Sequence, residues 1–341
     1  MKTTDFDYLL PESLIAQTPI EPRDHSKLMI LDRTSGEIKH RHFFDILDYL
    51  IEGDVMVFND SRVIPARLYG KEDVRGYEVE LLLLSQLEKN VWRSLVKPGR
   101  RMRVGSKFVL GSEGDTIEGE VTEVEISGTR IVRLDDDEKI NNIGVVPLPP
   151  YIKKRVGDPE RYQTVYSHKE GSVAAPTAGL HFTNDLLSKI RGKGVKIVFV
   201  TLHVGWDSFR PIKTEDPEKH EMHSEFWELS SESAETINKA KLDGRRIFSV
   251  GTTAVRLLEN AANLQKGSLL RAGSGWADIF ITPGYKFKIV DNLITNFHLP
   301  KSTLLMLTSA ISSRELILRA YADAVQNEYR FYSFGDAMLI L

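Results

Sequence analysis

Three histidines of this 341-residue chain sit in settings where imidazole chemistry would be useful. His181 lies in APTAGLHFT, His203 in TLHVG and His298 in NFHLP, each between apolar neighbours and close to glycine or proline. An imidazole titrates near neutrality, so in a cleft it can take up and release protons, and small neighbours leave room for a bulky substrate. A histidine so placed is as readily a hydrogen-bonded structural residue. Gly251-Thr252-Thr253, before a helical pattern, is a common cap, but free helix N–H groups and hydroxyls also suit a carboxylate or a hydroxyl-rich ligand. HEMHSE, residues 220–225, offers His220, His223 and Glu225. It is not HExxH, so a hydrogen-bonding cluster in which Glu225 lends a carboxylate to the cleft is preferred over a metal site.

A second kind of chemistry is suggested by VWRSLVKPGRRMRVGSKFVLGS, which carries Arg93, Lys97, Arg100, Arg101, Arg103 and Lys107 with no acidic residue among them. Such a cluster could track a phosphate backbone, and Lys153, Lys154 and Arg155 would extend the same surface; a solvated turn is the alternative. The net charge of −3 argues against indiscriminate nucleic-acid binding but leaves room for a local patch. No GxxxxGK[ST] occurs, and GSGWAD at 273–278 is only half of a dinucleotide fingerprint.

The elements that must position these residues divide the chain. From about residue 147 onward, buried-strand runs such as VKIVFVTLHVG and RRIFSVG alternate with helical segments such as NDLLSKIRGKG, SESAETINKAKLDG and TTAVRLLENAANL. LMILD and DVMVFN near the N-terminus are further strands that need a sheet to join. Residues 61–146 contain only short β-type runs punctuated by glycine and charge, which predicts a small antiparallel barrel. The expected fold is therefore α/β: a three-layer α/β/α sandwich, residues 1–60 plus 147–341, with an inserted small antiparallel β-barrel at 61–146. His203, Gly251-Thr252-Thr253 and His298 each close a strand, and His181 precedes a helix cap at Thr183. Four such junctions predict one shared cleft at the carboxyl ends of the strands. Asn59, Asp60 and Arg62 open the insertion, as a hinge or as substrate contacts.

Hydrophobic residues make up 41% and charged residues 27%, the balance of a soluble globular protein, and a cytoplasmic location is the simplest expectation. The absence of cysteine excludes disulfides, thiolate metal sites and cysteine nucleophiles. No run is long and apolar enough to span a membrane, and MKTTDFDYLLPE lacks a signal peptide's apolar core. With no apolar interaction stripe in view, a monomer is expected.

Several long motifs also carry a resemblance. GSVAAPTAGLHFT, TLHVG with FRP, HEMHSEF, VGTTAVRLLE, PGYKFKIVDNLITNFHLPKSTLLML and RFYSFGDAMLIL are similar to S-adenosylmethionine:tRNA ribosyltransferase-isomerases of queuosine biosynthesis. So are FDYLLPESLIAQTP, FNDSRVIPARL, LVKPGRR and PLPPYIKKR with RYQTVY, so the resemblance covers essentially the whole chain. It departs at Gly205-Trp206-Asp207-Ser208-Phe209, where the family pattern runs G-x-G-T-F, and at Leu257, where threonine is usual.

The resemblance implies an α/β domain with an inserted barrel, and a reaction on tRNA carrying 7-aminomethyl-7-deazaguanine at the wobble position. The ribosyl unit of S-adenosylmethionine, a consumed substrate and not a resident cofactor, would be transferred and isomerised to give epoxyqueuosine, with release of adenine and methionine. His181, His203 and His298 would then supply proton transfer and polar anchoring. Thr177, Gly179, Gly251, Thr252, Thr253, Arg256 and Asn296 become candidate S-adenosylmethionine contacts, although Arg256 could equally pair with an acid on its own helix. Trp206, Asp207, Glu225 and Asp278 are candidates for the sulfonium. Arg62, Lys97, Arg100, Arg101 and Arg103 are candidates for tRNA, a splayed wobble base being easier to reach in a loop than in a duplex. No redox cofactor or metal is indicated. The competing readings are an S-adenosylmethionine-dependent tRNA methyltransferase, a non-catalytic tRNA-binding module and, last, a metal hydrolase.

Overall fold

A computed structural model describes residues 1–112, 114–154, 157–205, 214–219, 222, 224–264 and 269–341. The chain begins with strands β1 (Lys27–Leu31), β2 (Ile38–His42) and β3 (Val55–Asn59), and a 3-10 helix, Phe43–Tyr49, lies between the last two. Strand β4 (Ser61–Val63) is followed by β5 (Arg67–Glu72), β6 (Glu78–Glu88), β7 (Val91–Lys97), β8 (Lys107–Ser112), β9 (Asp115–Val124), β10 (Arg130–Leu134) and the single-turn helix α1 (Ile140–Ile143). After β11 (Lys169–Ser172) come α2 (Asn184–Gly192), β12 (Lys196–Leu202), β13 (Glu225–Leu229), α3 (Ser231–Leu242), β14 (Ile247–Val250) and α4 (Thr252–Leu264). The chain closes with β15 (Gly273–Ala277), β16 (Asn292–Asn296), α5 (Thr303–Ile311), α6 (Arg314–Gln326) and β17 (Ala337–Ile340).

Two compact units result: Met1–Ser61 with Pro150–Lys169 and Ala175–Leu341, and Arg62–Pro149 with Glu170–Ala174. The second holds a closed six-stranded barrel, β10-β7-β6-β5-β8-β9, antiparallel throughout. Its strands alternate in burial, as in VWRSLVK of β7, because one face of each fills the barrel and the other meets solvent. Leu68, Leu81, Leu83, Phe108, Leu110 and Ile117 are among its fully or almost fully buried side chains.

The first unit is built on a nine-stranded sheet ordered β15-β13-β12-β3-β14-β16-β17-β1-β2. Its centre, β12, β3, β14 and β16, is parallel. Strand β3, VMVFN, is buried at every position, because both of its edges are paired and both faces are covered. Met56 and Phe58 enter a core with Phe43 and Ile46 of the 3-10 helix and Leu186 and Ile190 of α2. Val55 and Val57 alternate to the opposite face, where α3 and α4 lie against the central strands. This gives the three layers. No helix among the described residues is long and apolar enough to cross a membrane.

Hydroxyl side chains start most of these helices. Thr183, Ser230, Ser302 and Ser313 each accept a hydrogen bond from the backbone N–H three residues on, at 3.1–3.2 Å. Helix α4 differs, being preceded by Gly251, which has no side chain to offer. It also carries a fully buried acid, Glu259. That carboxylate accepts the backbone N–H groups of Lys288, Ile289 and Val290 at 2.9–3.0 Å and the Tyr285 hydroxyl at 3.1 Å, so it fastens the segment leading into β16 onto α4. Glu259→Ala strands three backbone donors, two of them buried, and should cost roughly 3–5 kcal/mol in urea unfolding. Glu259→Gln keeps one acceptor oxygen and should lose clearly less; equal losses in the two variants would show that lost side-chain volume matters more than these bonds.

Candidate active site

Because the central strands are parallel, their carboxyl ends open at one edge of the sheet. Strand β12 delivers His203–Gly205 there, β14 delivers Gly251–Thr253 and β16 delivers Asn296–Leu299. A cavity forms at this edge. Thr177, Thr252, Thr253, Arg256, Asn296 and His298 supply polar lining, and Val204, Phe297 and Leu304 supply apolar wall.

Gly251 makes the sharp turn from β14 into α4 with φ +89°, a backbone region that glycine enters without penalty. The turn presents the uncapped start of α4 to the cavity, and a helix start is receptive to anions. The Thr253 hydroxyl is buried and has no protein partner. Arg256, one turn further, is buried and forms an ion pair with Glu225 of β13, not with an acid of its own helix. Its other terminal nitrogen donates to the Ala277 carbonyl at 3.1 Å, and the second Glu225 oxygen accepts the Gly205 N–H at 3.0 Å. The pair thus ties the loop after β12 to α4.

The three histidines occupy different places. His298 lines the cavity, its Nε2 2.7 Å from the Thr295 hydroxyl. Its backbone is gripped twice: the N–H donates to the Tyr321 hydroxyl at 2.9 Å, and the carbonyl accepts from the Tyr8 hydroxyl. His181 stands behind the cavity wall, stacked on Phe43 at 4.9 Å. The Asn296 amide nitrogen donates to His181 Nε2 at 3.1 Å, so the ring proton sits on Nδ1 and is donated to the Ser26 hydroxyl at 2.7 Å. Asn296 also donates to the Tyr332 carbonyl at 3.2 Å and accepts from the Thr177 hydroxyl at 3.0 Å. His203 is half-buried and stacked with Phe226 at 6.1 Å, and its Nδ1 has no protein partner.

Other sequence candidates fall elsewhere. Gly179 is packed so tightly that an added Cβ would lie 1.9 Å from the Tyr166 hydroxyl oxygen, which explains the glycine by packing. Asp278 is exposed just past β15. Trp206, Asp207, Arg155, His220 and His223 lie outside the described residues. Among the described residues there is no group of three or more His, Cys, Asp or Glu that could hold a metal. Sequence reasoning did not single out Tyr151, Thr295, Ser302, Tyr332 and Ser333, all of which line the cavity. Tyr332 and Ser333 lie in RFYSFGD, whose only local signal is aromatic density without periodicity.

In the barrel unit, the basic stretch has acids in space that it lacks in sequence. Arg93 forms a bidentate pair with Glu125, and Lys97 reaches Glu80 at 3.2 Å. Arg100, Arg101 and Arg103 remain exposed and line a groove with Arg75 and Lys107, Arg101 lying over the Tyr77 ring at 5.5 Å. Arg62 stands on β4 at the start of this unit.

Burial pushes His298 down to about 3, and burial with the nearby charges of Arg330 and Arg23 does the same to His181, from an ordinary 6.5. Burial also lowers His203. At pH 7 the two buried rings are therefore neutral, the form able to accept a proton. The stability sign follows: the folded values lie below the unfolded one, so this stabilisation is complete above about pH 6.5 and is lost as pH falls toward 3. Unfolding free energies from urea titrations between pH 7.5 and 5 should decline with a limiting slope of about 1.4 kcal/mol per pH unit for each histidine. His298→Gln and His181→Gln should each flatten that slope by about one proton; slopes unchanged in both would mean the rings protonate inside the fold.

Comparison with known proteins places the chain. A family profile described as "Queuosine biosynthesis protein" matches residues 3–340. The S-adenosylmethionine:tRNA ribosyltransferase-isomerase of Staphylococcus haemolyticus is 54% identical over 345 residues, covering 100% of both chains. That of Acetivibrio thermocellus is 52% identical over 344 residues, with the same coverage. The crystal structure of S-adenosylmethionine tRNA ribosyltransferase from Thermotoga maritima matches with a TM-score of 0.56 at 38% identity, covering 99% of this chain and 100% of that one. With a family profile matched over residues 3–340 and relatives above 50% identity along the full length, the chain belongs to the queuosine biosynthesis protein family.

Proposed function

We propose that this chain is an S-adenosylmethionine:tRNA ribosyltransferase-isomerase, and that its acceptor is 7-aminomethyl-7-deazaguanine at the tRNA wobble position. The ribosyl moiety of S-adenosylmethionine is transferred and isomerised, giving epoxyqueuosine-tRNA, while adenine and methionine leave. The observation that carries this reading is full-length identity of 54% and 52% to relatives bearing that enzyme name. The α/β residues supply the chemistry and the barrel meets tRNA.

The chemistry asks for a base to remove the acidified proton beside the sulfonium and for assistance to the departing adenine. The aminomethyl group must also lose a proton before it can act as a nucleophile. His298, neutral and in the cavity wall, is the proton-transfer group in this proposal. His181 acts through Asn296, holding its amide toward Thr177 and the Tyr332 carbonyl. His203 adds a second imidazole next to the Val204–Gly205 wall. The start of α4, with Thr252 and Thr253, receives the methionyl carboxylate. The Arg256–Glu225 pair keeps that wall in place without adding net charge.

Incubating the protein with S-adenosylmethionine and tRNA bearing 7-aminomethyl-7-deazaguanine should yield one adenine and one methionine per epoxyqueuosine formed, read by mass spectrometry. S-adenosylhomocysteine in their place would make the chain a methyltransferase, and tRNA binding without turnover would make it a binding module. The barrel's part is tested separately. Replacing Arg100, Arg101 and Arg103 together by Ala should weaken tRNA binding and lower the slope of log K against log salt by about 2, for contacts to single-stranded phosphates. The KM for S-adenosylmethionine should stay put; unchanged tRNA affinity would remove this groove from the interface.

A further inference from the structure

The cavity has an aromatic wall that none of the preceding assignments uses. Tyr151 and Tyr332 stack there with ring centroids 4.5 Å apart and an interplanar angle of 27°. The Tyr151 hydroxyl is engaged, 2.7 Å from the Ser333 hydroxyl. The Tyr332 hydroxyl is buried and has no protein partner, although the residue is only 5% exposed. A buried hydroxyl without a partner is costly, and in a cavity wall it calls for an explanation.

The backbone adds a second, independent observation. Tyr332 has φ +71°, in the left-handed region that a bulky side chain seldom enters. Three hydrogen bonds hold it there. Its N–H donates to the Phe297 carbonyl at 3.1 Å, and its carbonyl accepts from the Gly335 N–H at 2.9 Å and from Asn296 at 3.2 Å. Strain of this kind persists only where the surroundings fix it, and it concentrates at ligand sites. Here the surroundings hold the ring against Tyr151, in the lining of the cavity.

We propose that Tyr332 is a substrate-contacting, specificity-determining residue whose hydroxyl donates a hydrogen bond to a ring nitrogen of the adenine of S-adenosylmethionine, with the purine packed against the Tyr151–Tyr332 wall. Aromatic surface with one donor at its edge matches a flat heterocycle that offers acceptor nitrogens. Burial raises the Tyr332 hydroxyl well above its usual range, so it stays protonated and able to donate. The anion-receptive start of α4 takes the methionyl carboxylate, which leaves the aromatic wall for the base. This inference rests on the S-adenosylmethionine reading above.

The test is a cycle on the full-length protein. Calorimetric Kd values for S-adenosylmethionine and for its 7-deaza and 3-deaza analogues are measured with the wild type and with Tyr332→Phe, which retains the ring. Tyr332→Phe should weaken S-adenosylmethionine roughly ten- to fiftyfold, and one deaza analogue should be weakened about as much on the wild type. That same analogue should bind the variant no worse than S-adenosylmethionine does, because the bond is then already gone. A purely structural role for Tyr332 would penalise all three ligands alike and make the losses additive, which overturns the assignment. Unchanged affinity in Tyr332→Phe, with its thermal unfolding also unchanged, overturns it too. Wild-type protein that neither binds S-adenosylmethionine nor releases adenine from it would overturn the functional reading, and this inference with it.

Discussion

The amide of Asn296 is the interaction on which the site's geometry depends. One buried side chain at the end of β16 uses both donors and its acceptor on three different segments: His181, the Tyr332 backbone and Thr177. In a low-dielectric interior such a bond is strong when made and expensive when missing, so the three segments are fixed together or not at all. The same amide decides which nitrogen of His181 carries the proton, and through Ser26 it reaches back toward β1. A change at any of these positions would be felt at the others.

The electrostatics follow a consistent rule. The two most buried imidazoles are neutral, and the buried guanidinium is matched by a buried carboxylate, so little net charge faces the cavity from side chains. What remains is the partial positive charge of the start of α4. A substrate that carries a sulfonium, an ammonium and a carboxylate would be oriented by such a field without its cationic centre being repelled. Breaking the Arg256–Glu225 pair would do more than remove an attraction, because it would leave an uncompensated buried charge in the cavity wall.

Much of the architecture was legible because burial writes itself into composition. VMVFN, KIVFVTL and IFSV are continuous apolar runs, and the structure makes them neighbouring central strands. Six short β-type runs became the six strands of the barrel. Strand β13, EFWEL, escaped notice because its first residue, Glu225, read as part of a polar cluster, although Glu225 is buried against Arg256. GSGWAD read as half of a dinucleotide fingerprint, yet GSGWA forms an edge strand, since pairing with β13 overrides weak propensity. At the site, strand-end positions were readable but partners were not. Nothing local to Arg93 announces Glu125, and nothing local to His181 announces Asn296, because both contacts are made by folding alone. Tyr332 was hidden for another reason: its left-handed backbone has no signature in a residue type that rarely adopts it.

The place of β3 in the sheet also sets an order of events. This strand ends at residue 59, but its two hydrogen-bonded neighbours are β12 at 196–202 and β14 at 247–250. As the chain leaves a ribosome, all six barrel strands, within residues 67–134, emerge before either partner exists. The barrel can close largely from hairpins between successive strands, whereas VMVFN must wait with both edges open. Pairings of such long sequence separation form slowly, and an apolar strand without neighbours is a ready template for association with other chains. In this architecture the inserted unit therefore acts as a delay, and a strand that ends up buried at every position is left with both edges open while the barrel is made.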